Sequence, residues 1–559
     1  MMQNLITAVL LFLSISSLTA QHNYHPPLNI PLVLSANFGE IRPNHFHMGV
    51  DFKTNGREGL PLFSIEEGYV SRIKTSPFGY GKVIYINHPN GFTSVYAHCS
   101  SFESKIDSIV CTMQAVLEST EIDLYLRPHD IMIKKGQRIA KSGNTGSSTA
   151  PHLHFEVRDT KTGEALNPLL YGFDIPDHQS PQLNAVKLYV TDSNGYEIPG
   201  KTITQSTIRN GNNFLLANGG FTLESDFCAE NEFIGLAING IDTYDAATNH
   251  CGLYEVNLSS GTQPIFKQQI DRLSFSDTRY VNLHTDYEAY KSHKNKFHKS
   301  FKSQNNPLTI YKENHNGLLT VLPGDSLSCR YEVNDIKKNK TSIAFYIKRK
   351  SGKVPSKKTV FYPKDYFFPD SSYTILSSNF KVTVDPFTFY HPTKKNLSTN
   401  NSYSFGDPQS PIQLPIKVGL KLPGTGANYF IEVNTRNGKK EVLVPQIENG
   451  WITSESLFLG TFSLVQDNQA PLLSLLNFSP SQRKEHQTIL TFKVVEKGSG
   501  IKTYNAYIDG IWAPIEFESK GAYFIVYIPE NKRGMRCNLR VECTDYCDNI
   551  GVWEKILDL

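Results

Sequence analysis

Apolar and polar residues alternate with a period of two through most of this chain, and glycines and prolines cut the alternation into short runs. Between Leu60 and Ala97 the runs PLFSI, GYVSRIK, GKVIYINH and GFTSVYA each read as a strand, with Pro89-Asn90-Gly91 as a hairpin turn. One segment departs from this pattern. From Ser101 to Glu118, Ile106, Ile109, Val110, Met113, Val116 and Leu117 recur at helical spacing, which predicts one amphipathic helix set into a β-rich domain. Ile122, Leu124 and Leu126 then alternate as a strand, and Lys134-Lys135-Gly136-Gln137 turns the chain into RIAKSGNTGSS.

Beyond Tyr171 the character changes. Asp177-His178-Gln179-Ser180-Pro181-Gln182-Leu183 recurs in form as Asp467-Asn468-Gln469-Ala470-Pro471-Leu472-Leu473, an internal repeat that marks the entry to two related modules. The runs ILTFKVV, TYNAYI, AYFIVYI and NLRVECT, closed by a turn-rich Asp545-Tyr546-Cys547-Asp548-Asn549, predict an immunoglobulin-like sandwich over 467–559. Residues 177–349 are too long for one ordinary sandwich and read as one enlarged module or two. Residues 350–466 read as a further β module with long loops, whose Lys-Lys clusters are solvated faces.

Composition narrows the class. The chain has 559 residues, and its 56 basic against 53 acidic side chains leave a net charge of +3, which gives no electrostatic case for nucleic acid. The one long apolar run, Leu5 to Leu18, is short for a bilayer span and is followed by Thr19-Ala20. It reads as a signal peptide of residues 1–20, although no basic side chain precedes Arg42. No membrane span is then expected after cleavage, and the product is expected in the periplasm, outside the cell or in its envelope. Export would allow some of the eight Cys to pair. Phe, Tyr, Gly and Pro are plentiful, and the fold class expected is mostly β.

Nine of the 17 His lie in the first 154 residues, so chemistry is sought there. His152-Leu153-His154 sits in HLHFEVRD, an alternating strand; residues i and i+2 share a face with Cα atoms about 6.6–6.8 Å apart, so both imidazoles reach one small site. His47 and Asp51, four residues apart, would be about 13 Å apart if fully extended, so a shared metal requires the segment to curl, which Gly49 permits. Imidazole and carboxylate together suit Zn²⁺. Each pair alone is a spacing that arises by chance.

Taken in order, FGEIRPNHFHMGVDF (Phe38 to Phe52), GYGKVIYINHPNGFTSVYAHCSSF (Gly79 to Phe102) and KKGQRIAKSGNTGSSTAPHLHFEVRD (Lys134 to Asp159) resemble the lysostaphin-type (LytM-like) zinc endopeptidases, which cut bacterial peptidoglycan cross-links. The resemblance covers roughly Val33 to Leu170. It implies a small antiparallel β peptidase domain over 28–172, here with an inserted helix, and an open groove floored by zinc. It further implies that His47, Asp51 and His154 bind zinc, that His98 and His152 are the catalytic imidazoles, and that peptidoglycan peptides are the substrate. The segment Glu103 to Ile133 is longer than that family's core needs, and it enlarges the scaffold or narrows the groove.

Other residues and other functions compete with this assignment. His45 lies six residues before Asp51 and reads as a groove or surface residue, and Cys99, next to His98 on a strand, should face the other way as a structural thiol. Cys537, Cys543 and Cys547 lack paired zinc spacing and read as a disulfide or buried thiols. No His-Glu-x-x-His occurs, and Glu156 is too far from His152 along a strand to be assumed the base. Rival functions are a non-catalytic wall-binding or hydrolase-activating module, and a secreted zinc protease for ordinary proteins.

Overall fold

The computed structural model describes residues 23–559 apart from 212, 313–315, 357–364, 400–401, 425–427, 436–437, 478–482 and 485–486. The expected signal peptide lies outside the described residues. No described helix is long and apolar enough to cross a membrane.

The chain is mostly β. Its N-terminal domain is built on an antiparallel sheet ordered Leu34–Ala36, Val50–Lys53, His152–Asp159, Phe92–Cys99, Lys82–Asn87, Gly68–Thr75 and Ile122–Tyr125. Period-two alternation sends Phe52, Tyr96, Leu153 and Phe155 into the core and leaves Asp51, His152, His154 and Glu156 on the opposite face. Register places His154 opposite Asp51 on one neighbouring strand and Ala97 on the other. Every ligand candidate therefore converges on the central strand.

The helix forms over Ser104–Leu117, but its buried stripe is Ile106, Val110 and Gln114. Val116 and Leu117, expected on the apolar face, are 70% and 54% exposed in the last turn, which closes on a left-handed cap at Glu118. The rest of the inserted segment adds the edge strand Ile122–Tyr125 to the sheet. It also meets the C-terminal module: Thr120 Oγ1 donates to the Ile515 carbonyl, and Tyr504 Oη donates to Glu121 Oε1 at 2.9 Å.

Downstream, residues of 183–347 enclose one main apolar cluster with Val186, Leu236, Tyr331 and Ile343 inside. Two five-stranded sheets then share a core around Phe380, Val418 and Phe462, and the last module packs a five- and a four-stranded sheet around Phe492, Phe524 and Val541. The N-terminal core does not stop at Gly172. Tyr244, Cys251, Ile270, Leu273, Val281, Leu308 and Ile310 belong to the same cluster as Leu34, Phe46 and Phe52. All eight cysteines are free thiols, so the chain carries no disulfide.

Candidate metal centre

His47, Asp51 and His154, three of the sequence-predicted residues, come together with buried side chains. His47 Nε2 lies 3.0 Å from Asp51 Oδ1 and 3.1 Å from His154 Nδ1, and His154 Nδ1 lies 2.9 Å from the same Asp51 oxygen. The remaining ring nitrogens define the tautomers. His47 Nδ1 donates to the Asn37 carbonyl at 2.8 Å, and His154 Nε2 donates to Glu156 Oε1 at 2.8 Å. With Nδ1 of His47 and Nε2 of His154 so engaged, each ring when neutral turns a lone pair inward, toward a carboxylate oxygen that also has only lone pairs to offer. Three acceptors in such a triangle repel one another unless a positive charge sits among them. Two imidazole nitrogens and one carboxylate oxygen suit zinc, and their spacing is near the roughly 3.3 Å separating tetrahedral ligands held 2.0–2.1 Å from that ion.

The electrostatics carry the same signature. Burial opposes charge on Asp51, yet His47, His152 and His154 hold its carboxyl well below the usual range. Burial likewise opposes charge on His154, but Asp51 and Glu156 outweigh it and raise that imidazole to about 9. The Asp51–His154 pair attracts positive charge from both sides.

Within the His47–Asp51 segment Gly49 serves by its lack of a side chain rather than by a positive φ. A Cβ there would stand 2.5 Å from the Phe155 carbonyl oxygen and 2.8 Å from Glu156 Cγ, so glycine is required for the close approach to the central strand.

His98 and His152 flank the triad, their rings 4.8 Å apart between centroids. His98 Nδ1 donates to the Thr145 carbonyl at 2.9 Å and His152 Nδ1 to the Ala150 carbonyl at 2.8 Å, which leaves each Nε2 with a free lone pair. His152 Nε2 lies 3.4 Å from Asp51 Oδ1. His98 reaches this position from a left-handed backbone, φ +59°, at the end of its strand. Burial, then the neighbouring His154 and His152, push its imidazole down to about 3, so it is neutral near pH 7. His45 is exposed and stays outside the cluster; Cys99 is fully buried in the core.

Sequence reasoning missed the supporting groups. Glu156, set aside as a base, is fully buried and accepts from His154, from the Tyr80 hydroxyl and from Arg158 Nε at 2.6 Å. The signal was present: 152, 154 and 156 share one face of a strand. Arg42 Nη2 donates to the other Asp51 oxygen at 3.3 Å. Asn37 is bound in both directions to Gly252 at 2.8 Å, a contact across 215 positions that no local pattern encodes.

Comparisons with known proteins place these residues in context. A family profile described as "Peptidase family M23" matches residues 45–129 and 111–168. An uncharacterized metalloprotease of Haemophilus influenzae is 36% identical over 131 residues, 23% of this chain and 21% of that one. Lipoprotein NlpD of Yersinia enterocolitica is 32% identical over 116 residues, 21% of this chain and 93% of that one. Peptidoglycan DD-endopeptidase ShyB of Vibrio cholerae is 31% identical over 111 residues, 20% of each chain. The chain spans only about a fifth of the length of the Haemophilus and Vibrio relatives.

Proposed function

Because the chain belongs to peptidase family M23, we propose that it is a zinc-dependent endopeptidase that hydrolyses peptide cross-links of peptidoglycan. The observation that carries this reading is the inward triangle of His47 Nε2, Asp51 Oδ1 and His154 Nδ1, with His98 and His152 beside it. In this proposal those three residues hold one zinc, which when bound supplies Lewis acidity to a scissile carbonyl and lowers the pKa of a water toward about 7.

The chain's own residues do the rest. Asn37 and Glu156 fix the ring orientations of His47 and His154, and Arg42 steadies the second Asp51 oxygen. His98 and His152 each have Nδ1 tied to a main-chain carbonyl, so the Nε2 of either ring, when neutral, can take a proton from the nucleophile and return it to the leaving amine. The name of the Vibrio relative supports peptidoglycan as substrate, and the apolar residues 5–18 and the lipoprotein relative support a place in the cell envelope.

The test joins metal and turnover. His154→Ala is expected to lose bound zinc on elemental analysis. His98→Ala and His152→Ala are expected to keep it while losing on the order of 10²-fold or more in turnover. Mass analysis of peptidoglycan fragments, against a metal-stripped control, identifies the bond cut. Zinc-loaded protein that binds peptidoglycan and releases no fragments would replace this reading with that of a binding or activating module.

A further inference from the structure

The two halves of the internal repeat each carry a carboxylate cluster remote from the triad. In the first, Asp177 from the linker, Asp242 from the strand Phe233–Tyr244 and Asp335 from the turn after Ser326–Asn334 bring carboxylate oxygens within 4.8 Å of one another. All three are buried, at 6%, 1% and 0% exposure. Among the described residues, no Lys, Arg or His forms an ion pair with any of them.

Hydrogen bonds answer only part of this charge. Asp177 Oδ1 accepts from the Gln179 N–H at 3.0 Å, and Asp242 Oδ1 from the Thr243 N–H at 3.0 Å. Asn339 donates to both Asp335 oxygens, at 2.9 Å from its main-chain N–H and 2.7 Å from its amide, and the same amide meets the Asp177 carbonyl at 3.1 Å. Asp177 Oδ2 is left buried with no partner. An ionised oxygen out of contact with water and with every donor costs several kcal/mol unless a cation answers it.

The second cluster is a natural comparison. Asp467, Glu496 and Asp545 repeat the arrangement, and Asn549 repeats the bonds of Asn339, reaching the Asp467 carbonyl at 3.1 Å and Asp545 Oδ2 at 2.8 Å. There, however, the oxygen that corresponds to the orphan of Asp177 accepts from the Ser499 N–H at 2.8 Å. Among the described residues of the two clusters, Asp177 Oδ2 is the one fully buried carboxylate oxygen without a partner.

We propose that Asp177, Asp242 and Asp335 form a calcium site at the junction between the N-terminal domain and the module that follows it. The donors are all oxygen, which favours a hard cation over zinc or copper. Calcium ligands lie 2.3–2.6 Å from the ion, so opposite ligands of one shell are about 5 Å apart, and the three oxygens fit within that span. Burial raises all three carboxyls, and for Asp177 and Asp242 the neighbouring carboxylates add to it, as expected where positive charge is missing. The site braces a particular hairpin. Asp242 pairs with Cys251, and the next residue, Gly252, clasps Asn37, whose carbonyl orients His47.

The experiment uses the full chain, dialysed against calcium-free buffer near pH 7.5, titrated with CaCl2 by calorimetry and melted with and without millimolar calcium. The wild type is expected to take up calcium and to melt several degrees higher in its presence. Asp177→Asn, nearly isosteric, is expected to bind one equivalent less and to lose most of that rise. A wild type with no calcium uptake, as a cluster neutralised by protons would give, overturns the site without any variant. Unchanged calcium stoichiometry and affinity in Asp177→Asn overturns it equally.

Discussion

His154 is held between two carboxylates that act on it differently. Asp51 faces its Nδ1, while Glu156 accepts the proton on Nε2 and is itself held to about 2, burial notwithstanding, by Arg158 and His154. Glu156 thus makes the ring a better donor to a metal without touching the metal position. Glu156→Gln is expected to weaken zinc binding roughly 10- to 100-fold, measured by competition with a chelator. It also strips Arg158 of its buried partner, so a loss of about 3–5 kcal/mol in chemical unfolding is expected alongside. Unchanged zinc affinity would reduce Glu156 to a structural anion. At this scale the sequence was informative wherever chemistry recurs at short spacing. His152-Leu153-His154 on an alternating strand and His47 with Asp51 were readable from the residues and the resemblance. The reason for Gly49 was not, because the atoms it must avoid belong to Phe155 and Glu156, more than a hundred positions away.

Behind the strand that delivers His47, two elements from the following module meet through a pair of buried histidines. His284 ends the short helix Val281–His284 and His298 lies in the strand Phe297–Lys299. The His284 ring packs 5.8 Å from Phe46, and its Nε2 donates to His298 Nδ1 at 3.0 Å, while Tyr311 Oη donates to His284 Nδ1 at 3.2 Å. This chain of bonds is complete with both rings neutral. Burial, then the charge of Lys296, pushes His298 down to about 3, and burial, then His298, pushes His284 well below its ordinary value. Unfolded, both titrate near 6.5. Below that pH the unfolded chain binds protons the native pair refuses, so stability is full above about 6.5 and falls as pH drops toward 3. The slope expected is up to about 1.4 kcal/mol per pH unit for each histidine. Urea unfolding between pH 7 and 5 measures it, and His298→Asn is expected to flatten it by about one proton; an unchanged slope would show that another group sets it. Elements of this kind were only half legible. The helix Ser104–Leu117 was predicted from its periodicity, yet Val116 and Leu117 lie outside its buried face, because periodicity marks the apolar positions and not which of them the rest of the chain covers.

On the scale of the whole molecule, ligand position and folding unit do not coincide. Every residue proposed to hold or serve zinc lies before Gly172, and by sequence alone that is a natural place to end a peptidase domain. The core crosses that boundary: Ile270, Leu273, Val281, Leu308 and Ile310 pack into the cluster that contains Leu34, Phe46 and Phe52. Polar contacts cross it too, for Gly252 clasps Asn37, Thr278 Oγ1 accepts the Phe46 N–H at 2.8 Å, and Lys296 pairs with Glu40 at 2.6 Å. These contacts surround the segment from Asn37 to His47, the part of the site farthest in sequence from its central strand. At the other rim, the C-terminal module touches the peptidase domain through Lys82–Glu516 and through Lys520, which donates to the Asn144 carbonyl beside the Thr145 that anchors His98. That second contact is peripheral to the core, whereas the first is continuous with it. A chain ending at Gly172 is therefore expected to be insoluble or to melt without cooperativity, with zinc well below one equivalent. One ending at Gln466 removes only the C-terminal module and is expected to melt cooperatively with zinc near one equivalent. Circular dichroism melts with elemental analysis of both chains decide the matter. A cooperative, zinc-replete chain ending at Gly172 would show that the shared core is dispensable and that the following module serves placement alone.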